Sequence, residues 1–365
     1  MSKKNQGKKI NIFSRALKIF AGLIAFSLFL TIILLGIVMY LNAPPQDKTL
    51  VFSEHDGIKI EEDGSYHVEV RRGESAQSVG MRLERAGIIK NRYFWQLICR
   101  FGNDVIKNGA YRLEAPASQI AIYRILVSGR QILHRITIPE GVTLKKAAGI
   151  FEEAGICTAD DFLTAARDAA VINSYRIPGV SMEGYLFPDT YMFPAEYPAD
   201  MVVKTLADNF FERIEIIYPS VLSMSSQELN EKVIMASIIE REYRVQEEAP
   251  VMAGVFYNRL SIGMALQSCA TVEYIITEIQ DKPHPAVILN RDLEIRDPYN
   301  TYIMPGLPPG PISAPGSVAL DAAFSPEKTD FLYFRLDNSQ SGRHYFSRTF
   351  DEHIRAGQLL PKGKS

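Results

Sequence analysis

The stretch VIMASIIEREY, Val233–Tyr243, sets seven apolar or small residues in a row before Glu240, Arg241 and Glu242. A carboxylate closing a segment that reads as buried is unusual, because burial penalises charge. Upstream, Ser225-Ser226-Gln227-Glu228 has the Ser-x-x-Glu form of a capping box, so a helix starts near Ser225 or Ser226. At about 100° per residue, Leu229, Val233, Ala236 and Glu240 fall within a sector of roughly 60°. Glu240 therefore shares a stripe with apolar residues, whereas Glu242 points to nearly the opposite side, beside Arg241, and reads as a solvated end. Pro250 suits the first turn of a following helix, PVMAGVFYNRL, so the helix carrying Glu240 ends within residues 243–248. Burial and the negative end of the helix dipole both raise the proton affinity of Glu240, the property of a general acid working near neutral pH. On the residues alone a second reading stands beside it, and is the commoner fate of a buried acid: a side chain that reaches solvent or pairs with an arginine such as Arg259.

The rest of the chain says where such an acid would work. Its 365 residues are 47% hydrophobic and 22% charged, the composition of a folded protein with room for two or three modest domains. Six of the 40 basic residues precede residue 19 and none of the 42 acidic ones does, so the body is net acidic and a poor nucleic-acid binder. Residues 19–41, IFAGLIAFSLFLTIILLGIVMYL, carry no charge and are long enough to cross a bilayer, which needs about 20 apolar residues as helix. A cleaved signal peptide has a shorter apolar core and a small-x-small site, which Asn42-Ala43-Pro44-Pro45 matches poorly. The expectation is an uncleaved anchor with a cytoplasmic basic tail, residues 1–18, and with residues 42–365 outside. Three widely spaced cysteines (Cys99, Cys157, Cys269) suggest neither a disulfide framework nor a zinc site. With scattered histidines, no His-Glu-x-x-His and no glycine-rich phosphate loop, no metal and no cofactor is expected.

Residues 42–63 are polar with turn residues and read as a linker off the membrane. YHVEV, GAYRL and ILHRIT read as strands and SAQSVGMRLERAGII, NRYFWQLICRFG and SQIAIYRILVSGR as helices, giving a small α/β module over 64–134. A second region, 135–365, opens with a helix between an N-cap at Thr143 and a stop at Gly155, passes through the aromatic-rich SMEGYLFPDTYMFP and the long helix PADMVVKTLADNFFERIEII, and reaches the opening stretch. The fold class expected is α+β.

Six segments in order, IPEG (Ile138–Gly141), EGYLFPDTY (Glu183–Tyr191), MASIIEREY, VFYNRLSIGMALQSCATVEY, DPYNTYIMPGLPPGPISAPG and FLYFRLDNSQSGRHYFSRTFDEH, together resemble the endolytic murein transglycosylase (MltG, or YceG-like) family over about residues 64–355. The resemblance implies a bacterial inner-membrane, single-pass protein with a LysM-like module, placed at 64–134, ahead of a catalytic region with a lysozyme-like active-site helix. It implies a lyase that cleaves the MurNAc–GlcNAc bond of nascent peptidoglycan strands, leaves 1,6-anhydro-MurNAc ends, and terminates strand elongation near the peptidoglycan synthases. The catalytic residue it implies is Glu240, the first Glu of Ser-Ile-Ile-Glu-x-Glu. Gln267, Tyr299, Asn300, Tyr302, Tyr185, Asp189 and Tyr191 are candidate sugar-binding residues, each tyrosine reading equally as a core or turn aromatic. One acid suffices for this chemistry, and no second carboxylate is placed by motif. A water-using muramidase would need one, with Glu183 and Asp189 the first suspects. The family's usual Asp after Leu-Gln-Ser/Thr is here Cys269, which keeps open a third reading, an inactive glycan-binding envelope scaffold.

Overall fold

A computed structural model describes residues 3–45, 57–60, 64–71, 73–114, 116–337 and 341–359, with the side chains of 3–16 and 359 left out. Most of the stretch read as a linker (46–56 and 61–63) lies outside the described residues. The chain is a mixed α+β protein of two compact units, Met1–Ile132 and Leu133–Ser365.

The first unit opens with one long helix, α1 (Lys3–Asn42). Within its segment Leu17–Asn42 the most apolar 18 residues have a mean hydropathy of 2.7, and none of them is buried against protein. A three-stranded antiparallel sheet follows, built from β1 (Ile58–Ile60), β2 (Tyr66–Val70) and β3 (Gly109–Leu113) in that order. β1 is a correction to the linker reading: Ile58 pairs with Val68 and is buried, so this stretch adds an edge strand. Between β2 and β3 lie α2 (Ala76–Arg85) and α3 (Arg92–Gly102), and after β3 comes α4 (Gln119–Ser128). Ser75, Asn91 and Ser118 cap these three helices through their side chains, as such residues do when the first N–H groups lack partners. Alternation along β2 turns Val68 and Val70 onto Leu83, Trp95, Tyr111, Ile122 and Leu126, the core of the unit. Trp95 lies over Gly80, where a Cβ would strike the indole, and donates Nε1–H to the Ala76 carbonyl at 2.9 Å.

The second unit begins with β4 (Leu133–Thr137), which pairs antiparallel with β5 (Thr190–Pro194). The sequence pattern puts the start of β4 in the preceding module, because a strand's partner more than 50 residues away leaves no local trace. Between them run α5 (Leu144–Glu153), α6 (Ala159–Ala166) and α7 (Ala169–Ser174). Then come α8 (Ala199–Ile217), α9 (Ser226–Glu240), α10 (Ala249–Ser261), the short α11 (Cys269–Tyr274) with a π-helical continuation over Ile275–Ile279, and α12 (Ser317–Phe324). A hairpin of β6 (Tyr333–Leu336) and β7 (His344–Ser347) and a last helix, α13 (Phe350–Leu359), complete it.

α9 is the axis of this unit. Its capping box is formed: Ser225 accepts from the Glu228 N–H at 3.2 Å and Glu228 returns the bond to the Ser225 N–H at 2.8 Å. Every residue from Val233 to Ile239 is buried, because α12 and α10 cover it. The single apolar stripe read from periodicity is therefore too narrow: the C-terminal half of α9 is enclosed all round, as a central helix is.

Candidate active site

Glu240 is the last residue of α9 and is only part-buried, where the seven residues before it are closed off. Two other segments reach the same place. The loop segment Ile312–Gly316 is strapped to α9: Ser237 Oγ accepts from the Ile312 N–H at 3.0 Å, and Ser313 Oγ donates to the Ser237 carbonyl at 3.1 Å. On its other side this run bonds to the β4–α5 loop, Gly141 N–H to Ala314 O at 2.8 Å and Ala314 N–H to Val142 O at 2.7 Å. Glu140 and Glu240 are thereby brought to one residue, Gly316. Its N–H donates to Glu240 Oε2 at 2.8 Å, and a Cβ on it would collide with the Glu140 carboxylate.

Burial is the main cause that lifts Glu240 to about 7. The Gly316 N–H opposes it, the Glu140 charge reinforces it, and a bond from Tyr243 Oη to Oε1 at 3.3 Å opposes it again. Burial, and the charges of Glu240 and Glu140, push the Tyr243 phenol well above its usual range, so it stays a donor. The result is a carboxyl whose proton affinity is raised to the neutral range, one oxygen fixed by a backbone N–H and the other under a phenol. Such a group can give a proton and take one back. Glu140 and Tyr243 are the residues the sequence reading missed. Glu140 sat in the quoted IPEG segment, but nothing local says that its loop faces α9.

Several expectations need correction. Arg259 does not pair with Glu240; it is buried and donates to the carbonyls of Leu266 and Leu332, each at 2.6 Å. Glu242 is no solvated end. It accepts from Ser268 Oγ, burial raises its proton affinity, and the Ser268 bond and the Arg241 charge lower it. That bond ties the end of α9 to the loop before α11. Tyr185 is a core side chain, its hydroxyl bonded to Asn230 at 2.8 Å, and Tyr191 is likewise buried, donating to the Phe187 carbonyl at 2.7 Å. Asp189 is held by Arg213 at 3.0 Å beside Asn209. These three belong to the packing around β5 and α8. Asn300 is also closed off: its amide donates to Leu293 O and Ile295 O at 2.9 and 2.8 Å, and its oxygen accepts from the Tyr302 N–H at 3.0 Å. It shapes a loop and has no face left for a sugar.

The remaining candidates lie together on the loop system that Ser268 joins to Glu242. Gln267 is exposed, with its backbone in the left-handed region at φ 55° and its N–H on Thr301 O at 3.0 Å. Ser268 N–H donates to Thr301 Oγ1 at 3.0 Å. Tyr302 places its hydroxyl 3.0 Å from Cys269 Sγ, which is exposed at the first position of α11. Tyr299 is half-buried against Tyr274, ring centroids 5.1 Å apart. Among the described residues no group of three or more His, Cys, Asp or Glu is placed to hold a metal ion.

Glu183, the other suspect, is almost closed off at 6% exposure. Both of its oxygens accept from the Leu144 N–H at 3.2 Å, at the start of α5, and Tyr274 Oη stands 3.5 Å away. Burial raises it to about 8 against those bonds.

Comparison with known proteins places this geometry. Residues 68–358 match the profile of the YceG-like family. The chain is 29% identical over 325 residues to the endolytic murein transglycosylase of Bacillus subtilis (strain 168), covering 84% of this chain and 88% of that one. It is 28% identical over 317 residues to the endolytic murein transglycosylase of Streptococcus pneumoniae (strain R6), covering 79% of this chain but only 57% of the pneumococcal protein. A crystal structure of a yceG-like protein from Listeria monocytogenes superposes with a TM-score of 0.53 at 31% identity, over 80% of this chain and 98% of that one. With four-fifths of its length matched by the family profile and Glu240 at the end of its central helix, the chain belongs to the YceG-like family.

Proposed function

We propose that this chain is a membrane-anchored endolytic transglycosylase of peptidoglycan, with Glu240 as its acid and base. The observation that carries the proposal is the place of the Glu240 carboxyl: part-buried at the end of the enclosed C-terminal half of α9, one oxygen on the Gly316 N–H and the other under Tyr243, with burial raising its proton affinity toward neutrality. Glu240 gives its proton to the glycosidic oxygen of the departing GlcNAc as the C1–O bond of MurNAc breaks. The carboxylate then takes the proton of the MurNAc C6 hydroxyl, whose oxygen bonds to C1. The ring closes as 1,6-anhydro-MurNAc, no water is consumed and Glu240 ends protonated as it began. Gly316 N–H holds the carboxylate form between the two transfers, and Tyr243 donates to its other oxygen. Gln267, Tyr299 and Tyr302 are the sugar-contacting residues in this reading.

The curated relatives' names support the substrate, and the uncharged run of α1 behind its basic start supports a single-pass anchor in the inner membrane, N-terminus inside and the chain after α1 outside. The sheet-and-helix part of the first unit corresponds to the LysM-like module and α9 to the lysozyme-like helix. Nascent glycan beside the synthases is the substrate, and cleavage there terminates elongation.

One observation favours a second reading. Glu140 stands across Gly316 from Glu240 and is exposed, so it could serve as the base that activates water in a muramidase. Digestion of uncrosslinked glycan by the purified protein separates the two. Transglycosylation gives anhydro ends, lighter by one water than hydrolysed ends and inert to borohydride. Reducing ends as the main product would overturn the proposal and make Glu140 the next residue to change.

A further inference from the structure

Helix α3 is apolar on two sides. Its inner face gives Phe94 and Trp95 to the core of the first unit. Its outer face presents Tyr93, Leu97 and Phe101 at helical spacing, with 65, 48 and 78% of their surfaces exposed, and Val105, in the loop that follows the helix, is 82% exposed. Three large apolar side chains in one exposed row on a single helix, with a fourth in the loop just after it, exceed the scattered hydrophobics of an ordinary surface.

The same end of the unit holds the foot of α1. Lys90, two residues before α3, lies over the Tyr40 ring at 4.2 Å and reaches the Tyr40 carbonyl at 3.4 Å. At the start of α4, Gln119 Nε2 donates to Leu41 O at 2.9 Å and Ile120 N–H donates to Asn42 Oδ1 at 3.0 Å. The last turn of the apolar helix is thus bonded to the N-terminal ends of α3 and α4, which ties the end of the span to this module. Charge follows the same pattern. Residues 90–107 carry Lys90, Arg92, Arg100 and Lys107 against one acid, Asp104, in a chain whose body is net acidic.

We propose that the outer face of α3 rests in the headgroup region of the bilayer that α1 crosses, with its basic residues on anionic phospholipid. The proposal rests on the reading of α1 as a membrane anchor and adds to it. Aromatic and aliphatic side chains beside lysine and arginine are what an interfacial helix uses, and Tyr40 and Tyr93 are residue types favoured at that depth. The module would then be a foot held flat against lipid, which fixes its height above the membrane.

Phe101→Trp tests this in the full chain, since the exposed site tolerates the change and the parent's one tryptophan, Trp95, is sealed in the core. The protein is reconstituted into vesicles of phosphatidylcholine and phosphatidylglycerol with plain or brominated acyl chains, and flotation is measured on the same samples. The expected result is a chain that floats with the vesicles and loses at least half of the fluorescence added by Phe101→Trp when the lipid is brominated, with a smaller loss when phosphatidylglycerol is omitted. A chain that floats while the added fluorescence is unquenched overturns the proposal and leaves the anchor intact. Unquenched emission that shifts to the blue with protein concentration also overturns it, because a second copy would be the cover. A chain that fails to float overturns both readings.

Discussion

Two glutamates in the second unit, Glu240 and Glu183, have both been lifted to the neutral range, and they teach different things. Glu183 sits at the start of α5 with both oxygens on a backbone N–H, the end of a helix that favours an anion, yet burial still takes it to about 8. Glu240 sits at the other kind of helix end and reaches about 7. A raised proton affinity is therefore common to both and marks neither as the acid. The difference is access. Glu183 is closed in by α5 and Tyr274, while Glu240 keeps an open side and has an exposed second carboxylate across Gly316. A proton that cannot meet a substrate serves packing; one at a surface can serve chemistry.

The widest separation between the two should come from replacing each with glutamine. Glu240→Gln should lower glycan cleavage by roughly a hundred- to ten-thousand-fold with folding intact, the usual worth of a general acid. Glu183→Gln should leave cleavage within about a factor of three near pH 7, because its acid is mostly protonated there. Equal losses in product assays would break the comparison.

Stability against pH should separate them next. The folded Glu183 binds its proton up to about 8, whereas an unfolded glutamate releases it near its ordinary value of 4.5. Between those values the native state holds more protons, so stability falls as pH rises, and the stability present at low pH is lost through about 8. The fall attributable to Glu183 should be a few kcal/mol. Denaturant titrations from pH 4 to 9 should show that decline in the parent and a flatter curve in Glu183→Gln. A decline of the same depth in both would clear Glu183.

Activity should follow Glu240 in the opposite sense to a simple base. The form that begins the reaction is protonated, so kcat/KM should fall about tenfold per unit above pH 7. Glu140→Gln removes a charge that raises Glu240, so the falling limb should move to lower pH. No movement would mean that Glu140 does not act through Glu240.

Smaller effects concern the loop that meets α9. Glu242→Ala and Ser268→Ala should each cost about 1–3 kcal/mol and be clearly non-additive together, since they share one bond. Cys269→Asp should change stability by less than about 1 kcal/mol, with unchanged or improved cleavage, because the position is exposed and opens α11, where an acid is favoured. Loss of folding in that variant would show that the Tyr302 contact matters more than its exposure suggests.

What could be read in the sequence was whatever is periodic or local. The capping box of α9, the Thr143 cap of α5, the Gly129 stop of α4 and the uncharged run of α1 all announce themselves within a few residues. Burial at Glu240 was legible for the same reason. What stayed hidden depended on distant partners: β1 against β2, β4 against β5, Glu140 against Gly316, and Ser268 against Glu242. The aromatic candidates failed for a related cause. Tyr185 and Tyr191 belong to a turn-rich stretch, and turn residues look alike whether their rings point into a groove or into the core.

The strap through Gly316 also governs timing. Gly316 reaches Glu240 across 76 positions of chain, and the run it belongs to also closes on the β4–α5 loop, far on the other side of α9 in sequence. Contacts of such long separation form late, because the loop entropy must be met before they return anything. Burial is what raises Glu240, so in a chain whose second unit has not folded it is an ordinary solvated carboxylate, ionised at neutral pH and with no proton to deliver. An unfolded polypeptide is thus chemically silent, and proton-donating capacity arrives with the enclosure of α9.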